Sequence, residues 1–236
     1  MLNPDLDTAA LAREFAIDRR VRIPDVLDAD TAERLASIAA SDLPYQLITY
    51  VDDRSIEIPP DGFAKLTREQ LEAMQRQIGA NAANGVGYLY EGYRLGPDQA
   101  GAGDDTAFLQ SVFEALNSEE MLATIAAITG AEDLKSADAQ ITRYGPGHFL
   151  TRHQDHVGAG QRRLAFVFSF ASDWHPDWGG LLQFFEKDGT PRDAWTPAYN
   201  VLSLFDVTHV HSVTYVAPFA PQPRLSLTGW FRAKPW

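Results

Sequence analysis

The stretch from Ala137 to Phe231 constrains this chain more than any other feature. There, short runs rich in β-branched and aromatic residues alternate with Gly, Pro and Asp. Ala137–Tyr144, Phe149–Arg152, Arg163–Ala171, Gly180–Phe185, Asn200–Phe205, His211–Val216 and Leu225–Phe231 each read as a strand. Several short strands at this spacing indicate a β-sandwich or barrel.

Residues 1–136 read differently. Leu11 and Phe15, four apart in Asp7–Ile17, give one apolar helix face. Val21, Ile23 and Val26-Leu27 suggest a strand, and Asp30 with Glu33 resembles a capping pair opening a helix through Leu35 and Ile38. Leu43–Val51 reads as a strand, and Asp52–Gly62, with Pro59-Pro60, reads as a loop. Thr67 with Gln70 is a second capping pair, opening a helix over Thr67–Ile78. Val86–Leu95, carrying Tyr88, Tyr90 and Tyr93, reads as a strand or hairpin arm. Gln99–Asp105 is a loop of small residues, followed by helices at Thr106–Leu116 and Ser118–Ile128. The expected architecture is α+β with a mainly β core and the N-terminal helices packed on one face. We expect one domain over 1–236: a helix-rich support with substrate-side loops at 1–136, and the β core at 137–236.

Composition narrows the function. A net charge of −12 excludes general DNA or RNA binding, because phosphate contact needs a basic face. The charge is lopsided: residues 1–140 hold 25 acidic and 11 basic side chains, residues 141–236 hold 7 and 9. With no Cys there is no disulfide framework, iron–sulfur cluster or thiol nucleophile. The longest apolar run, Leu164–Ala171, falls far short of the ~20 residues of a membrane helix. Asp5 and Asp7 stand where a signal peptide would be basic or apolar. A soluble cytoplasmic protein, with neither nucleic acid nor membrane as partner, is the expectation.

All six histidines lie between positions 148 and 211. In His153-Gln154-Asp155, residues i and i+2 on a strand share a face about 6–7 Å apart, so imidazole and carboxylate can meet at one metal. Alone the tripeptide is unspecific, and a surface turn with a capping Asp is its plainer reading. His209 and His211 offer a further imidazole from a neighbouring strand. Two imidazoles and one carboxylate form the facial triad of non-haem Fe(II) sites. On spacing alone zinc and manganese fit as well. In Arg224-Leu-Ser-Leu-Thr-Gly-Trp-Phe, one strand face carries Arg224, Ser226, Thr228 and Trp230. A guanidinium on an inward face must be paired, and a ligand carboxylate would do so. The plainer reading puts Arg224 at a strand mouth, paired with an Asp or facing water.

Taken in order, Tyr144-Gly-Pro-Gly-His-Phe-Leu-Thr-Arg-His153-Gln-Asp155, Arg163, Trp178-Gly-Gly-Leu-Leu, Asn200, Phe205, His211-Ser-Val and Arg224-Leu-Ser-Leu-Thr-Gly-Trp230-Phe resemble the Fe(II)/2-oxoglutarate-dependent dioxygenases. The pattern looks most like their prolyl hydroxylase branch, including the ribosomal-protein prolyl hydroxylases, and covers roughly residues 137–232. The resemblance implies a double-stranded β-helix, or jelly roll. It implies Fe(II) on His153, Asp155 and His211, with His209 a flanking or mouth residue. It also implies 2-oxoglutarate and O2 as co-substrates, with Arg224 pairing the far carboxylate and Tyr144 and Thr228 as hydrogen-bond donors. Ascorbate would serve as reductant. His148 and His156 flank the His-x-Asp turn as loop residues, and His175 is expected to be exposed.

One departure stands out. Some prolyl hydroxylases carry a second Tyr on the strand after the His-x-Asp turn, whereas Leu164–Phe170 has none, leaving Tyr144, Ser169 or Thr228 for that role. The implied reaction is hydroxylation of an unactivated C–H bond, with release of succinate and CO2. Asp155 separates the chain from related halogenases, which lack this carboxylate. The substrate implied is a prolyl residue in a protein or peptide, a basic one if the acidic residues of 1–140 steer it. The alternatives are a free amino acid or other small metabolite, or a cupin-like metal protein that is not an oxygenase.

Overall fold

The computed structural model describes residues 1–97, 103–155 and 161–235. His156 and most of the Gln99–Asp105 loop fall outside the described residues. In chain order the first half comprises α1 (Thr8–Asp18), β1 (Arg20–Pro24), α2 (Ala29–Ala40), β2 (Gln46–Val51), β3 (Arg54–Ile58), α3 (Pro60–Phe63), α4 (Arg68–Ala83), β4 (Tyr88–Leu95), α5 (Asp104–Leu116) and α6 (Glu119–Thr129). The second half is β5 (Ser136–Tyr144), β6 (Phe149–His153), β7 (Arg162–Phe170), β8 (Leu182–Phe185), β9 (Pro191–Trp195), β10 (Tyr199–Asp206), β11 (Val210–Val213) and β12 (Arg224–Arg232). Among the described residues, no helix is long and apolar enough to cross a membrane.

All pairings are antiparallel, in the order β1-β10-β7-β12-β5-β4-β6-β11-β8-β9, with the β2–β3 hairpin joined through β4. β4 is the hinge of the curl. Its Glu91–Leu95 half pairs with β5, while Tyr88 and Leu89 pair with β6. The sheet thus folds over into a half-barrel, the mainly β, jelly-roll arrangement expected. The sheet is not confined to 137–236, because β1 and β4 are built into it.

Alternation along the central strands decides which side chains face the helices and which face the interior. Ala137, Ala139 and Ile141 of β5, Leu164, Phe166 and Phe168 of β7, and Leu225, Leu227 and Phe231 of β12 form one apolar cluster with Phe15, Leu35, Ile38, Leu109, Phe113 and Ile125 of the helices. The intervening residues, Thr142, Tyr144, Ala165, Val167, Arg224, Ser226, Thr228 and Trp230, line a cavity on the opposite face. A polar strand face tolerated at the centre of a sheet marks where a ligand is to be held.

Several local expectations are corrected. The cap of α2 is Asp28, whose carboxylate accepts from the Thr31 N–H and hydroxyl at 2.8 and 2.9 Å, two residues before the Asp30–Glu33 pair. The 52–62 segment is not a loop: Asp52 and Asp53 both take positive φ (50° and 57°) and turn β2 into the exposed edge strand β3. The strand expected at Leu43 begins at Gln46. β9 was not anticipated, because Pro191–Trp195 is exposed and shows no apolar alternation. The Thr67–Gln70 capping box is present as expected, though α4 runs on to Ala83.

Candidate metal centre

β6 and β11 lie side by side with His153 opposite His211 in register. Asp155 follows two residues after His153, so one carboxylate and two imidazoles converge. Their ligand atoms all lie within 4.8 Å of one another. His153 Nε2 is 3.5 Å and His211 Nε2 3.4 Å from the Asp155 carboxylate, and the imidazole centroids are 4.2 Å apart.

Each ring is turned by its own strand. His153 Nδ1 sits 3.0 Å from the Thr151 carbonyl, and His211 Nδ1 sits 3.0 Å from the His209 carbonyl. A carbonyl only accepts, so on both rings Nδ1 carries a proton and Nε2 is the nitrogen turned towards the centre. Phe205 packs edge-on against His211 at 4.8 Å and closes its far side. His209 stays outside the cluster: its Nε2 hydrogen-bonds the Asp18 carbonyl at 2.8 Å, and its role here is through its backbone. His148, in the β5–β6 turn, accepts from the Gly145 N–H at 3.1 Å. His175 is exposed, as expected.

Electrostatics favour cation binding. Burial pushes the Asp155 carboxyl up, but its hydrogen bond to His153 and the charges of His211 and His153 outweigh it and hold the group down to about 2. Burial, reinforced by His153, lowers His211 to about 4. The same burial acts on His153, where the Asp155 carboxylate more than offsets it and raises the value. At neutral pH the set therefore offers an ionised carboxylate and a neutral His211, two donors already in ligating form.

Across the cavity, Arg224 begins β12 opposite Tyr144 at the end of β5. Its side chain is 3% exposed, its Nε has no partner, and no carboxylate of the described residues reaches it. Its Cζ lies 5.3 Å from the Tyr144 ring centre, and Tyr144 stacks on Tyr90 at 5.2 Å. Burial raises the Tyr144 phenol far above its usual value, so it stays protonated and able to donate. The Thr228 hydroxyl donates to the Phe166 carbonyl at 2.9 Å and must leave that bond to donate elsewhere. Ser169, opposite Ser226 in register, carries a buried hydroxyl without a partner. Sequence reasoning had no signal for the carbonyls behind the two imidazoles, nor for Phe205 beside His211, since each depends on strand pairing.

Comparison with known proteins agrees with this geometry. Residues 139–232 match the model of the 2OG-Fe(II) oxygenase superfamily. A search of curated proteins finds no match to the chain. Among solved structures, a Pseudomonas putida prolyl-4-hydroxylase is similar, with a TM-score of 0.60 and 20% identity, covering 96% of this chain and 99% of that one. A Trichoplax adhaerens prolyl hydroxylase, in complex with a hypoxia inducible factor peptide fragment, gives 0.60 and 13%, covering 96% and 89%. The α-ketoglutarate-dependent epimerase SnoN of nogalamycin biosynthesis gives 0.59 and 13%, covering 95% and 80%. At these identities the structures speak for a shared fold, while the matched segment spans the strands that carry both the triad and Arg224. Residues 139–232 thus match the 2OG-Fe(II) oxygenase superfamily, and the chain shares its fold with solved 2OG-Fe(II) oxygenases of low sequence identity.

Proposed function

We propose that the chain is an Fe(II)- and 2-oxoglutarate-dependent hydroxylase of a prolyl residue in a protein or peptide. The observation that carries this reading is Arg224: a buried guanidinium that no carboxylate of the described residues reaches, in the same cavity as His153, Asp155 and His211. Burying a charge unpaired is costly, so its anion is expected to come from outside the chain. A dicarboxylic keto acid fits, because one end can reach the metal while the other meets Arg224.

In this reading His153 and His211, through Nε2, and Asp155 hold Fe(II). Arg224 pairs the far carboxylate, with the protonated Tyr144 hydroxyl beside it and Thr228 on the same strand face. Fe(II) with 2-oxoglutarate and O2 supplies the oxidising power that side chains lack, yielding succinate, CO2 and a hydroxylated C–H bond. Leu150, Val167, Leu182, Phe205 and Val213 wall the cavity with apolar surface, which leaves few groups able to compete for the reacting centre. Ascorbate as reductant and a single domain over 1–236 belong to the same proposal.

The prolyl substrate rests on the family of folds that includes a peptide-bound prolyl hydroxylase. Small-molecule oxidation is the second reading, favoured by the SnoN-like fold. The test is incubation with Fe(II), 2-oxoglutarate and ascorbate, followed by mass spectrometry of a host lysate. One added oxygen on a protein proline supports the first reading; oxygen gained only by metabolites supports the second. No oxygen gained anywhere, with no succinate formed, sinks both and leaves the cupin-like alternative.

A further inference from the structure

The turn between β10 and β11 touches both arms of the triad. His211 Nδ1 donates to the His209 carbonyl at 3.0 Å. Gln154, standing between His153 and Asp155, donates through Nε2 to the Thr208 carbonyl at 2.8 Å. The sheet itself restrains this region sparsely. β11 has only four residues, and its register with β6 shifts between His211 and Val213, whose partners are His153 and Leu150. An irregularity of this kind re-aims side chains, so whatever holds the turn helps to decide where His211 points.

The turn is held by the α1–β1 junction, Asp18 to Arg20. The Arg19 carbonyl accepts from the Asp206 N–H at 3.0 Å, and the Arg19 guanidinium grips the Asp206 carboxylate through Nε and Nη2 at 3.0 and 2.7 Å. The same carboxylate accepts from the Thr208 N–H and hydroxyl at 3.0 and 2.7 Å. His209 completes the attachment. A carbonyl only accepts, so its Nε2 carries a proton and donates to the Asp18 carbonyl at 2.8 Å. Asp18 is fixed in turn, because its carboxylate takes Arg20 of β1 at 2.6 Å and Arg192 of β9 at 2.7 Å.

We propose that His209 is a positioning residue of the metal centre: its imidazole pins the backbone whose carbonyl orients His211. The rigidity of the α1–β1 junction thereby reaches a metal ligand. Asp18 and Arg19, which lie outside the 139–232 segment, belong to the support of the site. The inference rests on the metal-binding reading of the triad and deepens it. Losing the His209 bond leaves all three donors in the chain but frees the carbonyl behind His211, so metal affinity falls while the fold stands.

The test is titration of the full chain with Co(II) alone, followed by visible absorption, with melting curves of the metal-free protein alongside. Wild type should bind one Co(II), and Asp155→Ala should abolish the absorption. His209→Ala should weaken Co(II) binding by at least about tenfold, the low end for groups behind a metal ligand. His209→Gln, whose amide N–H can reach the same carbonyl, should stay within about threefold of wild type. His209→Asn, one methylene shorter, should not, and this pair decides the matter if His209→Ala fails to fold. Leu109→Ala, a core truncation in α5 on the helix face of the sheet, should lower the melting temperature and leave Co(II) affinity as in the wild type. A smaller loss in folded His209→Ala, equal binding by the Gln and Asn variants, or an equal loss in Leu109→Ala would overturn the proposal while the triad stands. A wild type that binds no Co(II), or an Asp155→Ala variant that binds it equally well, would refute the metal reading and the proposal with it.

Discussion

Replacing Arg224 by Met should move stability and ligand affinity in opposite directions. In the free protein the guanidinium is 3% exposed, with Nε unpartnered and no carboxylate in reach among the described residues. Replacing buried ionic groups by apolar ones of similar volume is often neutral or stabilising by about 1–4 kcal/mol. The packing is close, since a Cβ on Gly180 would come within 3.3 Å of Arg224 Cδ, and an unbranched side chain is the fitting replacement. Arg224→Met should therefore melt no lower than wild type without ligand. With 2-oxoglutarate the sign flips. Removing one member of a buried charge pair costs about 3–5 kcal/mol, a loss of roughly 100- to 4,000-fold in affinity. Calorimetric titration of 2-oxoglutarate into Mn(II)-loaded protein, with melting curves alongside, reads both quantities. A variant that melts much lower yet binds 2-oxoglutarate normally would show that Arg224 supports the fold, and the ligand argument would fail.

Other outcomes follow from the same geometry. His153→Ala or Asp155→Ala should weaken Mn(II) binding by more than about 100-fold, beyond the 10–100-fold typical of residues behind a metal ligand; titration of the metal checks this. Gly229→Ala should destabilise by about 1–3 kcal/mol, because its Cβ would stand 1.9 Å from the Asp138 carbonyl and 2.8 Å from the Phe166 ring. The melting temperature should drop by roughly 2–4 °C per kcal/mol at this chain length. Burial opposes ionisation of Asp206, but Thr208 and Arg19 outweigh it and hold the carboxyl below its unfolded value of 3.8. Its contribution is therefore present above that pH and lost as pH falls through the lower folded value. Melting temperature should decline as pH falls below about 3.8, and less steeply in Asp206→Asn; parallel curves would contradict the assignment.

The β core was legible because alternation and turn residues are local signals. Leu225, Leu227 and Phe231 against Arg224, Ser226, Thr228 and Trp230 disclose the two faces of β12 without any structure. The cap of α4 was legible for the same reason, whereas α2 carries three acids within its first turns and only geometry shows that Asp28 is the one that caps. β3 and β9 lie at edges, where exposed polar residues leave no periodicity to read. At the candidate site, the residue types and their order stood in the sequence. The meeting of His153 with His211 depends on β6–β11 pairing, and the placing of Ser169 opposite Ser226 depends on β7–β12 register. Neither is a local property.

The central claim is that one cavity uses His153, Asp155, His211 and Arg224 together to consume 2-oxoglutarate. Anaerobic protein given Fe(II) and 2-oxoglutarate, then exposed to O2, should release succinate and CO2 in equal amounts. That release should vanish in Asp155→Ala, and in Arg224→Met it should require far higher 2-oxoglutarate. Succinate production unchanged in both variants, or none in the wild type under any metal and substrate supplied, would contradict it.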